Sequence, residues 1–439
     1  MTELAIDGVT ALVHQADGSV AFAENTTIAI DGIITSVGEP AEAAEHIDGS
    51  GLVALPGFIN THTHSPMVLF RGSAENIPLE RWFNEFIWPM EVNLTPRDVE
   101  LGARLAIAEM IQAGVTTFAD HYFEMPTIAR VVEETGIRAN LGATFFSSGG
   151  ERAVDEGLEF ALEYAGAAGG RITTSLAPHA TYTVTDDDLR RTGELGREHD
   201  LLVHVHAGES RPQTLHHREQ HGISPVQTLE RLGILEGRTL IAHGVGIVPE
   251  DYPALAAAAT RTGVGVAPRG YLKESTDTTP VRALLALGVA VGLATDGAAS
   301  NNTLDVWEAM NLLTLTQKAV ERDPTWMTPA QALGVATLGS ARALGLAGQV
   351  GSLAVGHRAD IILVDLSSPR TQPIHDLAST LVHSGRSSDV VTTIVDGRVL
   401  MRDRQLLTID VPELLAELRP RLAALTNRDH GQRIQDYNA

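Results

Sequence analysis

The stretch PGFINTHTHSPM, residues Pro56–Met67, ends an apolar run with two histidines, His62 and His64, out of only 17 in the chain. Residues two apart on a β-strand face the same side, so both imidazoles project together, as a pair of metal ligands would. The alternative is a solvated turn with two unpartnered histidines. The pair alone does not separate these, so the surrounding chain has to.

Outward from this stretch, from about residue 56 to 345, short β-branched runs alternate with longer helical patterns. With GFINTH (57–62), the predicted strands are VTTFAD (115–120), RANLGATF (138–145), ITTSLAP (172–178), LLVHVHA (201–207), TLIAH (239–243), VGVAP (264–268) and VAVGLATD (289–296). Between them lie helices such as PRDVELGARLAIAEMIQAG, with Pro96 near its start and Gly114 closing it, and DDDLRRTGELGREHD, acidic in its first turn. Eight strands alternating with helices predict an α/β fold, a (β/α)8 TIM barrel with catalytic groups at the C-terminal ends of the strands. A doubly wound open sheet would call for a glycine-rich phosphate turn after the first strand, which this sequence lacks.

The flanks read differently. TTIAIDGIITSVGEP in the first 55 residues, and VGSLAVGHRADIILVDL and VVTTIVDGRVLMRDRQLL between 350 and 408, are short strands punctuated by Asp-Gly or Gly turns. Neither flank has enough apolar residues for its own core, so 1–55 and 350–408 are expected to pair into one small β-sandwich domain. The barrel then spans 56–349, and 409–439 form a C-terminal helix and tail. Within that tail VPELLAELRPRLAALTN reads as an amphipathic helix packed on the fold or on a neighbouring subunit.

Composition narrows the function classes. With 44% hydrophobic and 20% charged residues the chain is an ordinary globular protein. A net charge of -23 leaves no basic stripe for phosphates, which argues against nucleic acid. There is no cysteine, so any metal must use His, Asp or Glu. The start, MTELAIDGVTALVHQADG, is not a signal peptide, and no apolar run approaches the roughly 20 residues of a membrane helix. A cytoplasmic enzyme, away from membranes and assembling as a homo-oligomer, is expected.

With the strands placed, His206 ends strand five, His243 strand six and Asp296 strand eight, on the rim where His62 and His64 lie. Five potential ligands converge, and the idle-turn alternative loses its weight. Imidazoles with one carboxylate suit Zn²⁺ or Fe²⁺ better than Mg²⁺ or Ca²⁺. A two-metal site would call for a bridging group such as a carboxylated lysine ending strand four, but that strand ends LAPHAT, with His179. One divalent metal ion is expected, Zn²⁺ first and Fe²⁺ second. Glu209, in HVHAGES three residues after His206, is a candidate proton carrier for a water whose pKa such a metal lowers from about 15.7 to about 7. His204 reads as structural, and His121, His216, His217 and His221 as supporting or surface residues.

These segments, PGFINTHTH, HVHAGES, IAHG and LATDGAASNN, resemble the signatures of the amidohydrolase superfamily in its mononuclear aminohydrolase branch. GSLAVGHRADIILVD is similar to that superfamily's C-terminal strand pair. ENIPLERWFNEFIWPMEVNLT and TDGAASNNTLD are most similar to the 5-methylthioadenosine/S-adenosylhomocysteine deaminase family. The resemblance implies hydrolytic deamination of adenosine-type nucleosides to the inosine analogue and ammonia. His62, His64, His206 and Asp296 would hold the metal, with Asp296 taking a proton from its water. His243 would orient the attacking hydroxide at C6, and Glu209 would protonate N1 and then help ammonia leave. Glu91 would accept from ribose hydroxyls and His179 would bind near the ring, with Trp82 in the apolar wall before Glu91.

The chain departs from that family in two places. Where a basic residue often follows strand three, it reads ATFFSSGGER, with Phe145 and Phe146 there and Arg152 as a second basic position. Strand seven ends VAPRGYLKES, bringing in Arg269 and Lys273. Both point to adenosine, 5′-deoxyadenosine or methylthioadenosine rather than a carboxylate-bearing substrate. The rivals are deamination or hydrolysis of a free base such as guanine, a pterin or an s-triazine, and a non-catalytic scaffold, which should have lost its ligands.

Overall fold

The computed structural model describes residues 2–15 and 19–437; Met1, 16–18 and 438–439 lie outside the described residues. Strands Phe58–Thr63, Val115–Tyr122, Arg138–Phe145, Ile172–Pro178, Leu202–Ala207, Thr239–His243, Thr262–Val266 and Ala290–Leu293 pair in chain order into one eight-stranded parallel sheet. Most of their residues are buried, as expected for parallel strands covered by helices on one side and filled on the other. Two elements differ from expectation. Strand seven stops at Val266 because Pro268 begins the helix Pro268–Lys273. Strand eight stops at Leu293; Ala294 N still donates to the Val266 carbonyl of strand seven at 2.9 Å, and the chain then turns toward strand one.

That turn closes the barrel. Thr61 Oγ1 donates to the Leu293 carbonyl at 2.8 Å, and Thr295 N and the Asp296 N–H donate to Asn60 Oδ1 and the His62 carbonyl at 3.1 and 3.0 Å. Strand one and strand eight approach so closely here that a Cβ on Gly292 would stand 2.5 Å from Thr61 Cγ2, so only glycine fits.

The flanks form a second, nine-stranded sheet. Its first strand, Thr2–His14, is irregular between Ile6 and Ala11; its early half pairs in parallel with Ala43–Asp48 and its later half with Leu52–Pro56. Leu52–Pro56 then pairs antiparallel with Ile361–Asp365, joining the two flanks. Ile6, Ile28 and Ile30 from the front and Ile361, Leu363 and Ile394 from the back share one core cluster, so neither flank could bury its apolar face alone.

Arg138, at the start of barrel strand three, links this sheet to the barrel. Its guanidinium donates to both Asp360 oxygens at 2.7 and 3.0 Å and to Asp396 at 3.2 Å, with the Arg138 and Asp360 side chains only 4% and 1% exposed. The C-terminal helix is shorter than expected: Val411–Leu418 is followed by a 3-10 turn at Arg419–Arg421, where Pro420 cannot supply a helical N–H, and then by Leu422–Leu425. It packs on this chain's own helix Pro96–Gln112, with Arg97 on Glu417 at 2.6 Å and Arg421 on Asp98 at 3.0 Å. Among the described residues no helix is long and apolar enough to cross a membrane.

Removing one member of a buried charged pair strands the other, a cost of about 3–5 kcal/mol. Arg138→Met should lower the unfolding free energy by about that amount in urea titration. A loss below about 1 kcal/mol would mean that apolar contacts alone hold the two sheets together.

Candidate active site

The rim formed by the C-terminal strand ends gathers seven histidines whose nitrogens are held in a consistent pattern. His62 Nδ1 pairs with His204 Nε2 at 2.8 Å, His64 Nδ1 donates to the His121 carbonyl at 2.6 Å, and His206 Nδ1 donates to the His179 carbonyl at 2.7 Å. A carbonyl can only accept, so for His64 and His206 the proton sits on Nδ1 and the Nε2 lone pair is directed into the site. His64 Nε2 and His62 Nε2 lie 3.2 and 3.4 Å from Asp296 Oδ1, and His62 Nε2 is buried without a hydrogen bond of acceptable geometry. Ligand atoms of His62, His64 and Asp296 lie within 4.8 Å of one another, as do those of His62, His206 and His243. The two groups share His62 and together hold all four expected ligands plus His243.

The electrostatics fit a cation. Burial drives His62 down to about 3 and His206 well below the usual imidazole range, so both are neutral donors. Burial also opposes protonation of His64, but the Asp296 carboxylate beside it raises it. Burial would raise Asp296, yet bonds from His62 and His64 hold it well below the usual carboxylate range. A buried carboxylate held ionised among imidazoles is a place for positive charge. Neutral imidazoles around it suit a divalent transition metal.

Both His243 and Asp296 have left-handed backbones, φ 75° and 60°, which residues other than glycine seldom adopt. For His243 the surroundings enforce it, since Thr279 Oγ1 donates to its carbonyl at 2.7 Å. Its ring stacks parallel to His206 with centroids 5.5 Å apart, and its Nδ1 is buried without a partner. Asp296 Oδ2 accepts from Ser300 Oγ, one helical turn on.

Next to the ligands, Glu209 is partly open to the pocket. Its backbone N–H donates to Gln213 Oε1 at 2.8 Å and its carboxylate accepts from Gln213 Nε2 at 3.1 Å, a reciprocal pair across one helical turn. Burial raises its pKa, opposed by His243 and Gln213, so it holds a proton more readily than a solvated glutamate.

The pocket encloses about 810 Å³. One wall is the lid, Leu79–Arg81, the π-turn Trp82–Ile87 and Trp88–Glu91, which presents Trp82, Phe83, Trp88 and Glu91. Glu91 is buried and accepts from the Tyr122 hydroxyl at 2.6 Å; burial pushes it up to about 7. His179, held by Thr183 Oγ1 at 2.8 Å and driven by burial down to about 3, faces the pocket beside Phe146.

The structure thus brings His62, His64, His206, His243, Asp296, Glu209, Glu91, His179 and Trp82 to one cavity. It does not bring Arg152. That side chain is 65% exposed and paired with Glu156 and Glu159 along its own helix, because the chain after Phe146 turns outward through a 3-10 turn at Ser147–Gly149. Of the two phenylalanines, Phe146 lines the pocket and Phe145 packs beneath it on Val154 and Leu189. Arg269 pairs with Glu308, and Lys273 donates to the Ser300 carbonyl at 2.8 Å and pairs with Glu75. Both therefore anchor the strand-seven segment.

Sequence reasoning missed His204 as the partner of His62, and Tyr122, Gln213 and Ser300. Gln213 and Ser300 each stand four residues after a singled-out acid, a spacing that could have drawn attention to them. Nothing in the sequence pointed from Tyr122 to Glu91. His217, bonded to Thr228 at 2.9 Å, and His216, bonded to Gln220, lie elsewhere, as expected.

Residues 53–400 match the model of the amidohydrolase family. The chain belongs to the amidohydrolase family. It is 41% identical over 437 residues to a 5-methylthioadenosine/S-adenosylhomocysteine deaminase of Pelotomaculum thermopropionicum, covering 98% of this chain and 100% of the relative. A protein of the same description from Desulforudis audaxviator is 43% identical, over 86% of this chain and 87% of its own. Among solved structures, an adenosine deaminase from Xanthomonas campestris with bound zinc superposes with a TM-score of 0.91 at 31% identity, covering 97% and 98% of the two chains. An atrazine chlorohydrolase from Arthrobacter aurescens, 23% identical with a TM-score of 0.86, shares the fold.

If the neutral imidazoles and Asp296 form a single metal site in this amidohydrolase, the purified protein should hold close to one equivalent of divalent metal by mass spectrometry. Asp296→Ala and His206→Ala should each lose it. His204→Phe, which only frees His62 Nδ1, should weaken the metal by about 10–100-fold in a chelator competition.

Proposed function

We propose that this protein is a metal-dependent hydrolytic deaminase of adenosine-type nucleosides, with Zn²⁺ bound by His62, His64, His206 and Asp296. The observation that carries the reading is the pairing of two acids of raised pKa in one pocket, Glu209 beside the ligands and Glu91 on the lid. One is placed for proton transfer, the other for binding hydroxyls.

When bound, the metal acts as a Lewis acid that makes water acidic enough to attack at neutral pH. The protein's own residues divide the remaining work. Asp296 is held ionised and can accept the proton that water gives up. His243, fixed by its strained backbone, orients the attacking oxygen toward C6. Glu209 holds a proton at neutral pH more readily than a solvated acid and delivers it to ring N1, opening C6 to addition; it then serves the departing amine. Gln213 fixes which way the Glu209 carboxyl faces. Glu91 accepts from the ribose hydroxyls and Tyr122 steadies it, while Trp82, Trp88 and Phe146 exclude water from the ring.

The lining of the pocket also bears on the 5′ substituent. Its charged residues are Glu91, Glu209, Glu274 and Asp296, and among the described residues no lysine or arginine lines it. A carboxylate-bearing substituent would find no partner, so adenosine, 5′-deoxyadenosine and methylthioadenosine fit better than S-adenosylhomocysteine.

An ammonia-release screen over these nucleosides, guanine, cytosine, pterins and triazines tests the reading. Activity confined to rings without ribose would sink it, as would chloride release without ammonia. Methylthioadenosine should exceed S-adenosylhomocysteine in kcat/KM on the order of tenfold. Glu91→Gln should lower kcat/KM for nucleosides on the order of 10–100-fold, chiefly through KM. Ribose hydroxyls donate best to the ionised acid, so kcat/KM should fall as pH drops through about 7, a limb absent in Glu91→Gln.

A further inference from the structure

The lid that carries Glu91 is built from pieces too short to stand alone: a three-residue helix, a six-residue π-turn and a four-residue helix. Its inner face lines the pocket. Its outer face is covered by the last described segment of the chain, residues 427–437. Asn93 Nδ2, just past the lid, donates to the Leu425 and Asn427 carbonyls at 3.0 and 2.7 Å. Arg428 lies over the Phe86 ring at 4.0 Å and donates to the Glu85 carbonyl at 2.7 Å. Ile434 N donates to the Trp88 carbonyl at 3.4 Å.

The segment ends at Tyr437, which is 5% exposed. The Asn84 side chain meets both of its backbone groups, donating to the carbonyl at 3.0 Å and accepting from the N–H at 2.9 Å. The Tyr437 ring stacks on Phe83 with centroids 4.9 Å apart and planes 12° apart, and meets Tyr182 edge-on at 5.4 Å. Gln435 also donates to Ser148 Oγ at 2.9 Å, tying the segment to the loop after barrel strand three.

We propose that residues 427–437 are a strap holding the lid over the pocket, and that Tyr437 is a positioning residue, wedged between Phe83 and Tyr182. The ring contacts and the Asn84 clamp fix the lid at its π-turn, between Trp82 and Trp88. Without them the lid loses its only described cover on that side, and Glu91 loses the fixed height at which it meets a substrate. The cost falls on binding more than on the chemical step, because the ligands and His243 belong to the barrel. The kinetic arm rests on the proposed function, through the binding role of Glu91 and the choice of substrate; the cleavage arm does not.

The test is Tyr437→Ala and Tyr437→Phe in the full chain, with steady-state kinetics on the best nucleoside found, thermal melting, and limited trypsin cleavage after Arg81, whose side chain is 54% exposed. Tyr437→Ala should raise KM about tenfold with kcat within about twofold. It should also speed cleavage after Arg81 at least about fivefold, since cleavage follows the open population of the lid. Tyr437→Phe keeps the ring and should restore both values. Unchanged KM and cleavage in Tyr437→Ala overturn the proposal, as does a lowered melting temperature with KM unchanged, which would assign Tyr437 to packing alone. If no nucleoside is turned over, the function fails separately and equal cleavage rates decide against the strap.

Discussion

The N–H of Asp296 donates to the carbonyl of His62, and most of the site depends on that contact. It joins the last strand of the barrel to the first and, in the same step, sets the Asp296 carboxylate beside His62 and His64. Regular pairing ends at Leu293, so the rest of the seam uses side chains: Thr61 and Asn60 from strand one, and Thr295 just past strand eight. A closed barrel fixes the spacing of its strands by shear and stagger, so a register slip at this seam would misplace Asp296 relative to His62 and His64. The left-handed backbone of Asp296 is held by the same closure: Thr63 and Thr295 hydroxyls donate to its carbonyl at 2.9 and 3.0 Å.

Around this seam the protein imposes protonation states by burial and by carbonyl acceptors more than by charge partners. His64 and His206 donate through Nδ1 to backbone carbonyls on neighbouring strands, and those carbonyls move only if the barrel does. A lone imidazole in water near neutral pH would be partly protonated and free to choose either tautomer. Here desolvation removes the proton from His62, His179 and His206 and the carbonyls remove the choice of tautomer for His64 and His206, so a set of lone pairs is ready before any cation arrives. The unsatisfied Nε2 of His62 in a buried setting is the cost of that readiness.

How much of this was legible in the sequence depended on the range of the interactions. The eight strands were legible because each is a short run bounded by local breakers, and the clustering of His62, His64, His206, His243 and Asp296 because each stands at or just past the end of such a run. Arg152 was misplaced because its position turns on the path of one loop after Phe146, which no periodicity records. The C-terminal helix read as continuous through Pro420 since its apolar pattern persists there even though its hydrogen bonding does not. His204 read as structural because a histidine one pleat behind a ligand looks like core; only the folded distance to His62 shows that it fixes that ligand's other nitrogen. Tyr122 and Tyr437 meet the lid from opposite ends of the chain, and contacts of that kind leave no spacing to read.

The lid connects these two scales. It leaves the barrel directly after His64, through the buried turn Ser65–Phe70, and Asp120 at the end of strand two caps that turn by accepting from Ser65 N at 2.8 Å. The same strand supplies Tyr122, which holds Glu91 at the lid's far end. Strand two therefore sets both the exit of the lid behind a metal ligand and the depth of the acid that would meet the sugar. A substrate long enough to touch Glu91 and Glu209 together bridges two parts of the protein already registered against one strand, so the distance between ring and sugar is measured by the barrel. Burial lifts Glu91 to about 7, against the Tyr122 hydroxyl and His64, which both pull it down. Hydroxyl donors that arrive with the substrate would shift it toward the carboxylate, so binding and ionisation of Glu91 support each other.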